Sequence, residues 1–159
     1  MTTTTTRPLQ AGETAPDFTA GTTSGSNVTL SSFKGQKNVL LAFFPMAFTS
    51  TCTAELCSFS ENFDAYSAKD VEVLPISVDM VPSLKEFRAK YDMKVHLVSD
   101  LRRDISRAYG VLREASYFSE RAYFLIDKAG VIRWSYVESA LGEKRETEEL
   151  LAAIASISG

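Results

Sequence analysis

The chain has few of the residues that build metal centres and disulfide frameworks. It contains two cysteines and one histidine among 159 residues. Two thiols are too few for a disulfide scaffold, and a zinc site typically needs four ligands. Because Cys52, Cys57 and His96 are the only soft candidates, we expect neither a metal nor another cofactor. The scarcity of cysteine also makes a reducing cytoplasm the expected location.

Positive charge and long apolar runs are scarce as well. Lysine and arginine total 17 against 20 acidic residues, so the net charge of −3 provides no basic footprint for nucleic acid. No apolar run approaches the roughly 20 residues that span a membrane, and the first seven residues lack the apolar region of a signal peptide. We therefore expect no nucleic-acid or membrane partner. A flexible tail over residues 1–11 is predicted to precede one domain over residues 12–159.

Apolar runs alternate along the chain with helical segments. Buried or half-buried strands are predicted at residues 17–20, 28–30, 39–44, 71–78, 95–98, 123–126 and 131–137. Helices are predicted at residues 52–68, 83–91, 102–109 and 146–157. This alternation predicts an α/β fold, a three-layer sandwich around a mixed sheet that is mostly parallel with an antiparallel end.

Cys52 is placed where a predicted strand gives way to a predicted helix. The first backbone N–H groups of a helix lack internal partners and carry partial positive charge, which favours a thiolate, the nucleophilic form of cysteine. Thr49 and Ser50 supply hydroxyls that either cap the helix or bond a reactant. Glu55 is expected to bond back towards the start of the helix, as in a capping box.

Helix geometry separates the two thiols. Cys57 follows Cys52 by five residues, which places the two Cα atoms about 8–9 Å apart on a helix. A disulfide needs Cα atoms closer than about 7 Å. Either Cys57 is an idle thiol, or the first helical turns unfold during turnover.

The motif Pro45-x-x-x-Thr49-x-x-Cys52 resembles the active site of the peroxiredoxins. Arg121, at the head of an apolar run, fits the arginine that this family takes from a later strand, although the family often has threonine where this chain has Tyr123. The resemblance extends from about residue 12 to about residue 154 and implies a thioredoxin-like fold. It also implies a thiol-dependent peroxidase that reduces hydrogen peroxide and organic hydroperoxides.

The resemblance assigns a role to each residue of the motif. It makes Cys52 the peroxidatic thiol, while the Thr49 hydroxyl bonds the peroxide and Pro45 shields the pocket. As a permanent cation close to the sulfur, Arg121 should help to keep Cys52 ionised and stabilise the leaving oxygen. We expect a monomer or weak homodimer.

Two subgroups of the family differ in how the oxidised thiol is resolved. The five-residue offset resembles the Q-type peroxiredoxins (the bacterioferritin comigratory protein group), in which Cys57 would resolve Cys52 as an intramolecular disulfide after local unfolding. Thioredoxin or a similar dithiol then reduces it. The segment from Phe43 to Leu56 also resembles the AhpE-type one-cysteine group, in which an outside thiol does the resolving.

A third alternative is a thioredoxin-like disulfide reductase, which uses Cys-x-x-Cys and a cis-proline before a late strand. Four residues separate the cysteines here, and the last proline is Pro82. Both features disfavour the reductase.

Overall fold

The structure, a computed structural model, describes residues 7–157. Within that range the strands are β1 Thr19–Gly21, β2 Asn27–Thr29, β3 Asn38–Phe43, β4 Val71–Ser77, β5 Val98–Ser99, β6 Leu112–Arg113, β7 Phe118–Ser119, β8 Ala122–Ile126 and β9 Ile132–Val137. The helices are α1 Ser50–Glu61, α2 Phe63–Ala68, α3 Val81–Lys90, α4 Asp104–Ala108 and α5 Thr147–Ile157, with a 3₁₀ turn at Leu30–Phe33.

Five strands form a central mixed sheet in the order β5-β4-β3-β8-β9. Strands β3, β4 and β5 are parallel, whereas β8 runs antiparallel to β3 and β9 runs antiparallel to β8. This topology confirms the predicted α/β fold with a mixed sheet and an antiparallel end. The sheet is not mostly parallel as predicted, because two of its four strand pairings are antiparallel. The pairs β1–β2 and β6–β7 form two separate hairpins.

Strand β3 separates two apolar cores because its side chains alternate between the faces of the sheet. Leu40 and Ala42 join the core that α1, α2, α3 and α5 cover, and Val39 and Leu41 join the core beneath α4 and the β1–β2 hairpin. Every residue of β3 is buried, as expected for a strand covered on both faces. The two cores and the sheet between them give the three predicted layers.

The predicted continuous helix over residues 52–68 is wrong, because it divides into α1 and α2 at Asn62. The Asn62 side-chain amide donates to the carbonyl oxygen of Ser58 at 2.9 Å, and so does its backbone N–H at 3.0 Å. Asparagine side chains compete in this way with the regular helical bonds. The β6–β7 hairpin was not predicted, since two-residue strands are too short to show a periodicity.

The predicted flexible tail needs correction where the structure describes it; residues 1–6 lie outside the described residues. Leu9 is buried, and its N–H donates to the carbonyl oxygen of Tyr109 at 3.2 Å. Arg7 forms an ion pair with Glu13 at 2.7 Å. The segment from residue 7 to residue 11 is therefore attached to the domain.

Replacement of Gly110 tests this attachment. Gly110 has a positive φ of 74°, and a Cβ there would lie 1.8 Å from the carbonyl oxygen of Arg7. Gly25 also has a positive φ, of 91°, but a Cβ there would meet nothing within 4 Å. Both alanine variants carry a left-handed penalty of about 1–2 kcal/mol. We expect Gly110→Ala to lower the free energy of unfolding by about 1–3 kcal/mol more than Gly25→Ala in urea denaturation, because it displaces the Arg7 segment. Equal losses in the two variants would contradict the attachment.

Candidate active site

Cys52 lies in the first turn of α1, as the sequence predicts. Strand β3 leads through the buried Pro45 into a loop, and α1 begins at Ser50. The first helical hydrogen bond runs from the N–H of Thr53 to the carbonyl oxygen of Thr49 at 2.9 Å. The N–H of Cys52 therefore precedes the first intrahelical bond and adds to the positive end of the helix dipole.

Arg121 contacts the sulfur directly. Its Nη2 donates to Sγ of Cys52 at 3.0 Å, and both side chains are almost completely buried. The contact depends on the pairing of β8 with β3, which sets Ala122 opposite Phe43 just before the loop to α1. A permanent positive charge therefore lies at hydrogen-bond distance from the sulfur.

Three further bonds hold the guanidinium of Arg121 in place. Nη1 donates to Oε1 of Glu55 at 2.8 Å. Nε and Nη2 donate to the carbonyl oxygen of Leu141 at 3.2 Å and 3.1 Å. The planar fork of arginine donors thus has partners on α1 and on the loop after β9, which fixes the direction of Nη2 towards the sulfur.

The expected capping role of Glu55 is wrong. Its side chain is buried beside Arg121 and Tyr123 instead of folding back over the start of α1. Burial raises the pKa of the Glu55 carboxyl, and the Arg121 guanidinium and the Tyr123 hydroxyl oppose that rise. Position 55 is one turn from Cys52 and adjoins the buried stripe of Leu56 and Phe59, so a carboxylate on this apolar face was the signal of a buried ion pair.

Tyr123 is a site residue that the sequence did not identify as one. Its hydroxyl contacts Oε2 of Glu55 and accepts a hydrogen bond from the backbone N–H of Arg145 at 3.0 Å. Burial raises the pKa of this phenol well above its usual range, and the neighbouring Glu55 raises it further. The phenol therefore stays protonated at physiological pH.

Thr49 and the loop around it occupy the outer side of the site. The Thr49 hydroxyl donates to the carbonyl oxygen of Met46 at 2.9 Å and makes no capping bond to α1. Its oxygen lone pairs remain able to accept a hydrogen bond. Phe48 has a positive φ of 68° and packs on Phe87 with ring centroids 4.9 Å apart. The N–H of Ala47 donates to Asp79 at 2.8 Å, which holds the loop against the end of β4.

Cys57 lies in the same helix as Cys52, and both thiols are free. Cys57 is half-buried and packs against the core beneath α1. Burial, together with the negative charge of Glu61, raises the pKa of the Cys57 thiol. Since α1 is helical from one cysteine to the other, helix geometry keeps their Cα atoms about 8–9 Å apart.

The sulfur of Cys52 is enclosed by protein. The side chain has 0% exposure, although a nucleophile that reacts with a reagent from solution has to be reached by it. A reagent must therefore enter between the side chains that enclose it. Among residues 7–157, no group of three or more His, Cys, Asp or Glu residues could hold a metal ion. No helix in this range is both long and apolar enough to cross a membrane.

Comparison with known proteins decides the family. The sequence profile of the AhpC/TSA family matches residues 11–135, which is more than half of the chain. The chain belongs to the AhpC/TSA family. Its relatives within the family include peroxiredoxins and alkyl hydroperoxide reductases, and this AhpC/TSA protein is accordingly a peroxiredoxin, a thiol-dependent peroxidase.

Three relatives illustrate the similarity. Alkyl hydroperoxide reductase E from Mycobacterium tuberculosis is 35% identical, and the alignment covers 94% of this peroxiredoxin and 98% of the relative. The chloroplastic 2-Cys peroxiredoxin BAS1 of Hordeum vulgare is 35% identical, with coverage of 92% and 74%. The reduced 2-Cys peroxiredoxin of Plasmodium vivax superposes with a TM-score of 0.87 at 34% identity, covering 94% and 82% of the two chains.

The enclosure of Cys52 predicts how a bulky thiol reagent distributes between the two cysteines. We expect pyrene maleimide to label the half-exposed Cys57 at least about tenfold faster than Cys52, because access to Cys52 requires local opening. Peptide mass spectrometry over a time course measures both rates. The chain unfolded in guanidinium is the control, in which the two rates should converge. Faster labelling of Cys52 in the native protein would contradict the enclosure.

Proposed function

We propose that Cys52 is the peroxidatic residue of this peroxiredoxin and attacks hydroperoxides as a thiolate. The observation that carries the proposal is the 3.0 Å hydrogen bond from Arg121 to Sγ of Cys52 at the positive end of α1. A thiolate is the nucleophilic form of cysteine, and both neighbours favour it.

The reaction transfers one oxygen atom to sulfur. The Cys52 thiolate attacks one peroxide oxygen, the S–O bond forms and the O–O bond breaks. Cys52 is oxidised to sulfenic acid, while the other oxygen leaves as hydroxide or alkoxide and takes up a proton to become water or an alcohol. Arg121 and the N–H of Cys52 stabilise the negative charge that develops on the leaving oxygen.

Thr49 and Pro45 prepare the site for the peroxide. The Thr49 oxygen accepts the hydrogen bond of the peroxide O–H, since its own proton is committed to Met46. This contact aligns the O–O bond with the sulfur. Pro45 has no N–H and is buried at the end of β3, so it offers the pocket no competing donor.

Cys57 resolves the sulfenic acid in this scheme. Its thiolate attacks the sulfur of Cys52, a disulfide forms and hydroxide leaves to become water. The start of α1 must unfold first. Supporting this, α1 has no side-chain cap at Thr49 and no acidic residue in its first turn, two features that otherwise stabilise a helix start. A thioredoxin-type dithiol then reduces the disulfide.

The one-cysteine scheme is the second candidate. In it an outside thiol attacks the sulfenic acid of Cys52 and α1 stays folded. Two observations favour it, namely the unbroken helix between the cysteines and the raised pKa of Cys57. In either scheme we place the enzyme in the cytoplasm, where its thiols stay reduced, as a monomer or weak homodimer.

Single-cysteine variants test the catalytic assignments. We expect Cys52→Ser to abolish peroxide consumption, and Cys57→Ser to complete one turnover and accumulate sulfenic acid. Mass spectrometry after stoichiometric hydrogen peroxide should find a Cys52–Cys57 disulfide in the wild type and trapped sulfenic acid in Cys57→Ser. Persistent sulfenic acid in both proteins would favour the one-cysteine scheme. Full activity of Cys52→Ser would refute the proposed function.

The pH dependence of disulfide formation tests the role of Cys57. Its pKa is raised, so the thiolate fraction, and with it the rate, should rise about tenfold per unit between pH 7 and 8. Glu61→Gln removes a charge that raises this pKa and should speed disulfide formation at pH 7 about twofold. Asp64→Asn removes an exposed charge one helix further on and is the matched control. Stopped-flow fluorescence after a peroxide pulse measures the rate, and equal effects of the two substitutions would contradict the assignment.

A further inference from the structure

The Tyr123 hydroxyl accepts one hydrogen bond and donates another. The Arg145 partner is a backbone N–H, which can only donate, so the Tyr123 oxygen accepts that bond. The phenolic proton is then available for its other contact, Oε2 of Glu55. Tyr123 is therefore the donor and Glu55 the acceptor.

Glu55 accepts on both of its oxygens. Arg121 donates to Oε1 and Tyr123 donates to Oε2, which is the bonding pattern of a carboxylate. Besides the Leu141 carbonyl, Arg121 consequently faces two ionisable acceptors for its one positive charge: Glu55 through Nη1 and the Cys52 sulfur through Nη2. A negative charge on the sulfur is attracted by Arg121 and repelled by Glu55, so whatever offsets the Glu55 charge favours the thiolate.

A closed ring of bonds holds the Tyr123 hydroxyl in position. The carbonyl oxygen of Arg121 accepts from the N–H of Glu138 at 2.9 Å. The buried Glu138 carboxylate accepts a bidentate pair from the Arg145 side chain at 2.8 Å and 3.0 Å. The backbone N–H of Arg145 donates to the Tyr123 hydroxyl. Tyr123 donates to Glu55, and Glu55 accepts from the Arg121 side chain, which closes the ring.

We propose that Tyr123 is a positioning residue of the peroxidase site. Its hydroxyl proton offsets the negative charge of Glu55, and this strengthens the net attraction of the site for a negatively charged Cys52 sulfur. The proposal rests on the role of Cys52 given above. It predicts that the phenol controls how much of Cys52 is thiolate, although it does not touch the sulfur.

Removal of the Tyr123 hydroxyl should lower the fraction of Cys52 that is a thiolate. In Tyr123→Phe, Glu55 loses one of its two donors and competes more strongly for Arg121. At pH values below the titration midpoint of Cys52, we expect its thiolate fraction to be about three- to tenfold lower than in the parent. The rate of peroxide reduction should fall by the same factor at those pH values. At a pH above the midpoints of both proteins, the rate should return to within twofold of the parent.

The matched control is Tyr109→Phe. The Tyr109 hydroxyl is also buried and donates to the carbonyl oxygen of Pro16 at 2.7 Å, but it lies on the opposite face of the sheet. Its removal costs a comparable hydrogen bond without changing the charges around Cys52. It should leave the thiolate titration unchanged.

The experiment titrates the ultraviolet absorbance of the thiolate in a Cys57→Ser background, with Cys52→Ser/Cys57→Ser as the blank. This reading needs no peroxide, so the influence of Tyr123 is judged separately from the role of Cys52 in turnover. A midpoint that rises in Tyr123→Phe and not in Tyr109→Phe supports the proposal. An unchanged midpoint, or a rate loss that is equal at every pH, overturns it.

A second variant retains the aromatic ring and the hydroxyl of residue 123, in case Tyr123→Phe does not fold. Replacement of Tyr123 with 3-fluorotyrosine makes the phenol a stronger donor to Glu55, so the midpoint of Cys52 should move downward, opposite to Tyr123→Phe. An upward or absent shift overturns the proposal.

Discussion

The guanidinium of Arg121 is the group around which the site is built. Removing an ion from water costs several kcal/mol after relaxation, so a buried arginine is stable only when its donors are paired. Here Glu55, the Leu141 carbonyl and the Cys52 sulfur are those partners. They come from α1 and from the loop after β9, and they meet because β8 pairs with the strand that leads into α1. The site is thus a consequence of strand order in the sheet.

The parts of this arrangement that follow from local pattern were predictable. Continuous apolar runs identified the strands that are buried on both faces, and the motif placed Cys52 in the first turn of a helix. The periodicity of α1 could have indicated that Glu55 is buried, but its pairing with Arg121 and the Tyr123–Arg145 bond join residues far apart in sequence, which no periodicity encodes. The complete burial of Cys52 is likewise a property of packing, since it depends on every element around the sulfur.

Arg121 bonds both Glu55 and Cys52, so it links the stability of the fold to the reactivity proposed for Cys52. A strong Arg121–Glu55 pair stabilises the buried charges, yet the Glu55 carboxylate opposes the attraction of Arg121 for the sulfur that reacts in the proposed scheme. A weak pair would leave Glu55 uncompensated in an apolar core, which is a large cost. A neutral donor such as the Tyr123 hydroxyl relieves this conflict, because it satisfies the carboxylate without adding a second cation that would compete for it.

The two ends of α1 are held differently, and this difference bears on the proposed two-cysteine cycle. At the far end, the Ser58 hydroxyl bonds Thr147 at 2.9 Å and the Asn62 amide donates to Thr147 at 3.3 Å, so α5 fixes this end. The first turn has no capping side chain, and its one bond to the loop after β9, from Thr51, is long at 3.4 Å. Its firmest attachment is the Cys52–Arg121 hydrogen bond at 3.0 Å, so in the proposed cycle we expect the first turn to unfold once oxidation of Cys52 has weakened that bond. Because Cys57 adjoins the fixed end, the proposed cycle requires the sulfur of Cys52 to move. Oxidation to sulfenic acid would favour this movement, because it removes the negative charge that we propose Arg121 holds in place.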